Sequence, residues 1–243
     1  MKKILLCFLM IHSLIAGATT EWTHVFGGRG NEDVRKIVSA KGGGWITVGS
    51  TQSFGDADNN VFVVRWNGDG QVIWETVVGD SLDNFGYSAA QDVNGFIYVA
   101  GSSNGLGTLG LQDVYLAKLD SSGNVLWQKT YGGTNNEVAN SIVIDSLGEI
   151  VLAGTTQSSG SGGSDAYVLK VDSSGTLLWS KTYGGTGTDI LYAITTVTGG
   201  GFVVAGSTTS FSTNHGYAAR INNNGDTIWT KSYNLGSGSG VGG

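Results

Sequence analysis

The sequence contains no proline, and its only cysteine, Cys7, lies close to the N-terminus. A chain without a cysteine pair cannot be held together by disulfides, so a packed apolar core must stabilise it. Three histidines and one cysteine are too few for zinc sites of the usual type. Charged residues make up only 13% of the chain and form no basic cluster, so nucleic acids and anionic membranes are not expected partners.

Residues 1–18 have the pattern of a cleaved secretory signal peptide. Lys2 and Lys3 precede an apolar run over residues 4–15, and the small residues 16–18 form a cleavage site. The apolar run is too short to span a membrane, no later segment is a candidate span, and no cysteine follows the cleavage site to carry a lipid. We therefore expect a secreted or cell-surface protein with neither a membrane span nor a lipid anchor.

Tryptophan recurs along the chain at intervals of 52, 53, 52 and 50 residues. The series consists of Trp22, Trp74, Trp127, Trp179 and Trp229. A fixed period of about 50 residues indicates a repeat architecture in which neighbouring units bury one another. We assign residues 19–234 to this repeat domain and residues 235–243 to a flexible Gly/Ser-rich tail.

Each unit contains four short apolar segments separated by turn residues. In the unit that ends near Tyr131, strands are predicted over residues 85–90, 96–101, 114–119 and 124–131. No segment longer than ten residues after the signal has helical periodicity, and four strands in about 52 residues are typical of a β-propeller blade. The sequence therefore predicts an all-β propeller with four full repeats and one extra N-terminal strand around Trp22.

Two sets of glycines recur at equivalent positions of the units, which we call columns. The second strand of each unit ends in glycine, at Gly49, Gly101, Gly154 and Gly206. The turn before each tryptophan strand starts with Asn or Asp and has glycine in fourth place, at Gly70, Gly123, Gly175 and Gly225. Glycine in that place suits a turn that needs a left-handed backbone residue. We expect the flat tryptophan rings to fill the gaps between neighbouring blades.

The repeated sequence motifs resemble those of the SBBP family, a group of bacterial β-propeller repeats found in exported and surface proteins. The resemblance rests on YGG with an acid shortly after it, on GFIYVAG and GFVVAG, and on DVYLAKLDSSG before the tryptophan. It covers about residues 22–233 and implies a propeller fold and export, without naming an activity. The phrase D-x-x-G-x-x-x-W is also similar to the tryptophan-docking motif of quinoprotein propellers, which we interpret as shared architecture. No cofactor is expected.

The number of strands makes closure of the ring ambiguous. Trp22 lies in a strand of the kind that ends a unit, yet Trp229 already ends the fourth unit with such a strand. One strand is therefore redundant. We expect four blades that form a closed or nearly closed ring; the alternatives are a fragment of a larger ring and assembly between chains.

One polar column precedes the first strand of each unit. It consists of Glu32, Asn84, Glu137 and Asp189. If the first strands line a central channel, three carboxylates and an amide would ring its mouth, where they could bind a cation such as calcium or a polyol. Alternatively, each side chain caps its own loop by accepting hydrogen bonds from backbone N–H groups.

A basic column lies on the third strand of each unit. Its members are Arg65, Lys118, Lys170 and Arg220, and Asp113 and Asp165 precede two of them by five residues. We expect a solvated strand face with cross-strand ion pairs.

Three matches to catalytic or binding motifs lack the context that would support them. Residues 105–110 match G-x-G-x-x-G, but no helix follows. Ser103 lies in a G-x-S-x-G phrase in a blade loop, without a nearby histidine to act as base. Residues 56–60 begin like a calcium loop and lack its later glycine and glutamate. We therefore predict no catalytic residue.

Together these observations favour a secreted or surface scaffold that recognises a polar extracellular ligand, either a protein or a glycan. The loops between second and third strands, residues 50–60, 102–113, 155–165 and 207–216, vary most between units and would carry recognition. One alternative is a carbohydrate-active hydrolase or lyase, for which Glu32, beside Asp33 and Arg35, is the nearest candidate site. The other is a fragment of a larger surface propeller.

Overall fold

The computed structural model describes residues 27–55, 59–107, 111–211 and 215–234. Within these ranges the ordered elements are β-strands, and no helix is present. The predicted signal peptide, the predicted strand around Trp22 and the predicted tail lie outside the described residues.

Sixteen strands form four sheets of four antiparallel strands, each in simple sequential order. The strands are β1 (Glu32–Ser39), β2 (Trp45–Thr51), β3 (Asn60–Trp66), β4 (Val72–Val78), β5 (Asn84–Gln91), β6 (Ile97–Ser103), β7 (Asp113–Leu119), β8 (Val125–Tyr131), β9 (Glu137–Ile144), β10 (Ile150–Thr156), β11 (Asp165–Val171), β12 (Leu177–Tyr183), β13 (Asp189–Thr196), β14 (Phe202–Thr208), β15 (His215–Ile221) and β16 (Thr227–Asn234). Each sheet is one propeller blade, so the predicted fold class is confirmed.

The first strand of each blade lies at the inner edge of the assembly. β1, β5, β9 and β13 contact one another in succession, whereas the tryptophan strands β4, β8, β12 and β16 lie at the opposite edge of each sheet. The middle strands are buried on both faces because each internal blade is packed between two neighbours. This explains why these strands are continuous runs of Val, Ile, Leu, Ala and Tyr rather than an alternating pattern.

Three apolar cores, called seams below, join the four blades. The first seam packs Val48 and Val63 of the first blade against Val99 and Tyr115 of the second. The second and third seams repeat this arrangement with the equivalent residues. Each fully buried side chain of this size contributes about 1.5–3 kcal/mol to folding, so the seams supply most of the stability.

At the outer edge, Trp74 and Trp179 dock on the turn of the following blade. Trp74 Nε1 donates to the carbonyl of Ser121 at 3.0 Å, and Trp179 Nε1 donates to the carbonyl of Asn223 at 3.2 Å. The fourth-place glycines of these turns, Gly123 and Gly225, have φ of 86° and 78° and lie against the indole rings. The turn therefore needs glycine at this position for two reasons: its left-handed backbone and the lack of space under the ring.

A matched pair of glycines separates these two requirements. Gly123→Ala should lose about 1–2 kcal/mol of unfolding free energy to backbone strain and a further 1–2 kcal/mol to overlap with Trp74, because an added Cβ would lie 2.7 Å from Trp74 Cε3. Gly148 has φ of 79°, and its Cβ would meet nothing within 4 Å, so Gly148→Ala should show the strain alone. Urea denaturation of both variants tests this. Equal losses of unfolding free energy would contradict close packing of Trp74 on Gly123.

The four described blades do not form the closed or nearly closed ring that we expected. Among the described strands, the fourth blade makes no extensive contact with the first. Val34 and Ile37 of β1 are 68% and 59% exposed, whereas Leu191 and Ile194 at the same places in β13 are buried against the preceding blade. The four described blades therefore form an open arc.

Candidate functional site

The predicted polar column, called the acidic column below, occupies the first residue of each inner strand. Its side chains fold back onto their own blades. Glu137 is buried; its Oε1 accepts from Thr156 Oγ1 at 2.7 Å and from the Ser158 N–H at 3.1 Å, and its Oε2 accepts from the Gly133 N–H at 2.7 Å. The carboxylate therefore holds the loop before its strand to the end of the second strand of the same blade.

The other members of the column have similar contacts. Asp189 Oδ2 accepts from the Gly185 N–H at 2.9 Å and from Ser210 Oγ at 2.6 Å. Asn84 donates instead, from Nδ2 to Asp80 Oδ1 at 2.8 Å, and Glu32 accepts from Thr51 Oγ1 at 3.2 Å. The structure does not bring these four residues together, and no group of three acidic, histidine or cysteine side chains suited to a metal occurs among the described residues.

The first glycine of the YGG phrase separates two acids, a juxtaposition that the sequence did not reveal. A Cβ on Gly132 would lie 2.6 Å from Glu137 Oε2 and would also overlap Asp113 Oδ1 of the preceding blade. The acids at the starts of the third and first strands of successive blades thus meet across this glycine. In the next seam, a Cβ on Gly184 would likewise overlap the Asp189 carboxylate.

The basic column is not the solvated, ion-paired face that the sequence predicts. Arg65 is buried, and its Nη2 donates to the carbonyl of Gly43 at 2.6 Å; burial lowers the pKa of this guanidinium. Arg220 Nη2 likewise donates to the carbonyl of Gly200 at 2.5 Å. Both guanidinium groups satisfy carbonyls of the turn that joins the first two strands of their own blade.

The two lysines of the same column also depart from the prediction. Lys118 lies over the Phe96 ring at 4.3 Å and donates to the carbonyl of Ser173 in the next blade. Lys170 does form ion pairs, with Asp145 at 2.7 Å and with Glu149, but it is buried and does not pair with Asp165. The sequence pattern placed the column correctly but did not reveal its burial. Charged side chains are almost never buried without partners, and these partners are recognisable only in the folded structure.

The dismissed motifs have structural roles where the structure describes them. Ser103 is fully buried, and its Oγ accepts from the Gly105 N–H at 3.0 Å, so it is inaccessible as a nucleophile. The calcium-like phrase and the G-x-G-x-x-G phrase each extend into residues outside the described ranges.

The exposed side of the inner strands carries a set of residues that sequence reasoning missed. Each inner strand contains one β-bulge, where the pairing with the second strand skips a residue. The skipped residues are Arg35, Tyr87, Asn140 and Tyr192, called the bulge row below. Bulges redirect a side chain and are frequent beside functional sites. The only sequence signal is the residue three places after the acidic column.

The bulge row presents a cation, two phenols and an amide along the concave edge of the arc. The Arg35 guanidinium is 2.5 Å from Asp33 Oδ2 and 5.7 Å from the Tyr87 ring centroid; its hydrogen bond to Asp33 raises the pKa of Arg35. Tyr87 stacks on Phe85 with ring centroids 6.2 Å apart. Tyr192, at the other end of the row, is 57% exposed.

A second polar concavity lies on the third blade. A cleft of about 380 Å³ is lined by Ser159, Tyr167, Ser180, Lys181 and Thr182. In the second blade, Thr130, which corresponds to Thr182, instead donates to the carbonyl of Leu106 at 3.2 Å. The cleft thus arises where the loop between second and third strands differs between blades.

Comparisons with known proteins support the fold and no finer assignment. No protein-family model and no curated protein matches the chain. Among solved structures, a Bacteroides caccae protein of unknown function aligns with a TM-score of 0.53 and 12% identity over 82% of this chain and 61% of its own. The WD40 domain of Neurospora crassa Pan2 aligns with a TM-score of 0.52 and 14% identity over 82% of this chain and 52% of its own. The chain therefore spans between half and two thirds of the length of these two proteins.

Among the residues that the structure describes, no helix is long and apolar enough to cross a membrane.

Proposed function

We propose that the protein is an exported, non-enzymatic β-propeller module that binds a polar extracellular ligand, with a glycan chain as the preferred class. Export rests on the signal-peptide pattern of residues 1–18 and on the resemblance to SBBP repeats. The observation that carries the binding role is the bulge row, which places two tyrosines and an arginine on the concave edge of a rigid scaffold.

The chemistry of the bulge row suits a sugar chain. A tyrosine offers a flat apolar ring together with a hydroxyl, and it loses little conformational entropy on binding. Arg35 supplies several N–H donors held in place by Asp33, and Asn140 has both a donor and an acceptor, its Nδ2 being bonded to the carbonyl of Leu191 at 2.8 Å. Alternating rings, donors and acceptors match the apolar faces and hydroxyl edges of successive sugar units.

The acids that an enzyme would need have structural bonds instead. Asp33 Oδ1 accepts from the Ser50 N–H at 2.8 Å, and its Oδ2 pairs with Arg35. Glu32 accepts from Thr51 within the same blade. A carboxylate engaged in this way is not poised for proton transfer, which favours a binding role over hydrolysis at this place.

Single replacements in the bulge row test the proposal. Tyr87→Ala and Tyr192→Ala should each weaken binding to a glycan found by array screening by about tenfold or more, because each removes an aromatic anchor worth at least 1–2 kcal/mol. Leu147→Ala removes an apolar side chain that is even more exposed than Tyr192, from a turn away from the row, and should leave binding unchanged. An array without any binder, or equal effects of all three variants in calorimetric titration, would count against the proposal.

A further inference from the structure

The third strand of each blade carries an aromatic residue at its third position. In the second and fourth blades it is Tyr115 and Tyr217, which are 0% and 3% exposed and belong to the first and third seams. In the first blade it is Phe62, which is also buried. Tyr167, its counterpart in the third blade, lies at the edge of the second seam and is only partly buried. The third blade therefore has the most accessible ring of this column.

In the other three blades, the loop after the second strand supplies an apolar side chain to this place, called the lid residue below. Phe54 stacks on Phe62 with ring centroids 6.0 Å apart, and Phe211 stacks on Tyr217 with centroids 6.4 Å apart. Leu106 packs against the core of the first seam, to which the tyrosine of the second blade belongs. Each lid residue lies five places after the repeated glycine of its second strand.

The third blade has Ser159 at the lid position. The residue that follows has the same left-handed backbone as in the first blade, with φ of 101° for Gly55 and 106° for Gly160, so the two loops bend in a similar way. A small hydroxymethyl group thus takes the place of the Phe54 ring. The cleft of about 380 Å³ that Ser159 and Tyr167 line opens at this point.

A second side chain in the cleft is also smaller than its counterpart. In the second blade, Gln128 accepts a hydrogen bond from the Tyr115 hydroxyl at 2.5 Å. The third blade has Ser180 at the same place in the strand pairing, and its shorter side chain hydrogen-bonds to the Tyr167 hydroxyl. Thr182 lies directly opposite Tyr167. The cleft therefore combines one aromatic ring with three aliphatic hydroxyls.

The charge at the border of the cleft is already compensated. Lys181 is among the lining residues, but its ammonium pairs with Asp226 of the next blade at 2.5 Å. The ring and the hydroxyls are therefore the groups of the lining that remain to select a ligand, which favours a neutral polar molecule over an anion.

A ring with an apolar face and a polar edge fits this lining. The lid residues of the first and fourth blades show that a six-membered ring can lie against the strand aromatic. A purely apolar ring would leave the surrounding hydroxyls without partners, whereas a sugar ring offers both an apolar face for the tyrosine and hydroxyls along its edge. The volume of the cleft is in the range of small-molecule sites, about 300–1,000 Å³.

We propose that this cleft binds one sugar ring, which lies against Tyr167 in place of the missing lid residue and exchanges hydrogen bonds with Ser159, Ser180 and Thr182. The site is separate from the bulge row, because it lies on the third and fourth strands of its blade whereas the row lies on the inner strands. It rests on the proposed function only for the class of ligand.

Two replacements should close the cleft without disturbing the fold. Ser159→Phe supplies the lid residue of the first and fourth blades, and Ser180→Gln supplies the residue of the second blade. Since other blades already carry these residues at the same places, the thermal unfolding midpoint should hold in both variants. Ser146→Phe is the matched control, because it adds the same ring to an exposed turn of the same blade.

Saturation-transfer NMR with the full chain measures binding to a panel of methyl glycosides of hexoses, N-acetylhexosamines and uronic acids. At least one glycoside should bind the unmodified protein and Ser146→Phe with the same dissociation constant. Ser159→Phe and Ser180→Gln should each raise that constant by about tenfold or more, because they fill the space that the sugar ring needs.

Three outcomes would overturn the inference. Loss of glycoside binding in Tyr87→Ala but not in Ser159→Phe would assign the sugar to the bulge row, which supports the proposed function and removes the cleft from it. Binding of a glycan on an array that neither cleft replacement weakens would do the same. The third is binding of p-cresol, a mimic of a tyrosine side chain, that Ser159→Phe abolishes while no glycoside binds; it would show that the cleft takes an aromatic side chain of a protein instead.

Discussion

Gly154→Ala is expected to lower the free energy of unfolding by about 3 kcal/mol or more. Gly154 lies in β10 opposite the bulge of β9, where the backbone of the inner strand approaches it closely. A Cβ at this place would overlap the carbonyl oxygen of Val138. Since both partners are backbone within a paired sheet, no rotamer change relieves the overlap, and either the bulge or the strand pairing must shift. Urea denaturation monitored by tryptophan fluorescence measures the loss.

The same overlap between an added Cβ and a backbone carbonyl would occur in all four blades, so the test can be repeated at three equivalent glycines. Gly49, Gly101 and Gly206 face the carbonyls of Asp33, Phe85 and Ile190 in the same way. Alanine at Gly163, where nothing lies within 4 Å, should change stability by less than about 0.5 kcal/mol. A loss below about 1 kcal/mol for Gly154→Ala would mean that the bulge is not fixed by its glycine.

This glycine column shows how much of the fold could be predicted from the sequence. The period, the glycines and the turn pattern predicted the blades, and the left-handed glycines of the turns, such as Gly123, are where they were expected. The reason for Gly154 differs from those turns, because it has an extended backbone and is needed for space alone. Repetition of a glycine reveals a local requirement, but only the three-dimensional pairing shows that the requirement is a bulge.

The bulge row remained hidden for the same reason. Arg35, Tyr87, Asn140 and Tyr192 share no chemistry that would mark them as a column in the sequence. They are grouped by the skipped residue in each inner strand, and a strand pattern of period two does not predict where a register shift occurs. The acidic column beside them was easy to see because its residues all bind their own loops, a task that each blade repeats.

Ring closure was predicted incorrectly because it depends on small angles. Each seam fixes a rotation between two blades, and these rotations add over the arc. The sequence specifies which faces are apolar but not the angle at which they meet. Evidence on closure came from exposure at the ends, where Val34 and Ile37 remain accessible while Leu191 and Ile194 are buried.

Lys170→Met should be the most damaging change of a charged residue, with a loss of about 3–5 kcal/mol. The Lys170 side chain is 4% exposed, and its Nζ lies 2.7 Å from Asp145 Oδ2 and close to Glu149 Oε2. Methionine keeps much of the side-chain volume and removes the ammonium, which leaves two carboxylates facing each other without a counter-charge. Chemical denaturation at neutral pH measures the loss. Adding Asp145→Asn and Glu149→Gln should restore most of the stability, whereas a cavity or packing effect would persist in the triple variant.

The pH dependence of this loss identifies its electrostatic origin. Burial opposes ionisation of Asp145, but the hydrogen bond from Lys170 and two backbone N–H groups outweigh it and lower the pKa of Asp145. Burial likewise disfavours the charged form of Lys170, and its two carboxylate partners outweigh this and raise the pKa of Lys170. A lowered acid pKa stabilises the fold above the ordinary value of about 4, and a raised lysine pKa stabilises it below about 10.4. The difference between the parent protein and Lys170→Met should therefore be greatest between these limits and shrink as Asp145 is protonated in acid. A difference that stays constant down to acid pH would assign the loss to packing of the lysine stem instead.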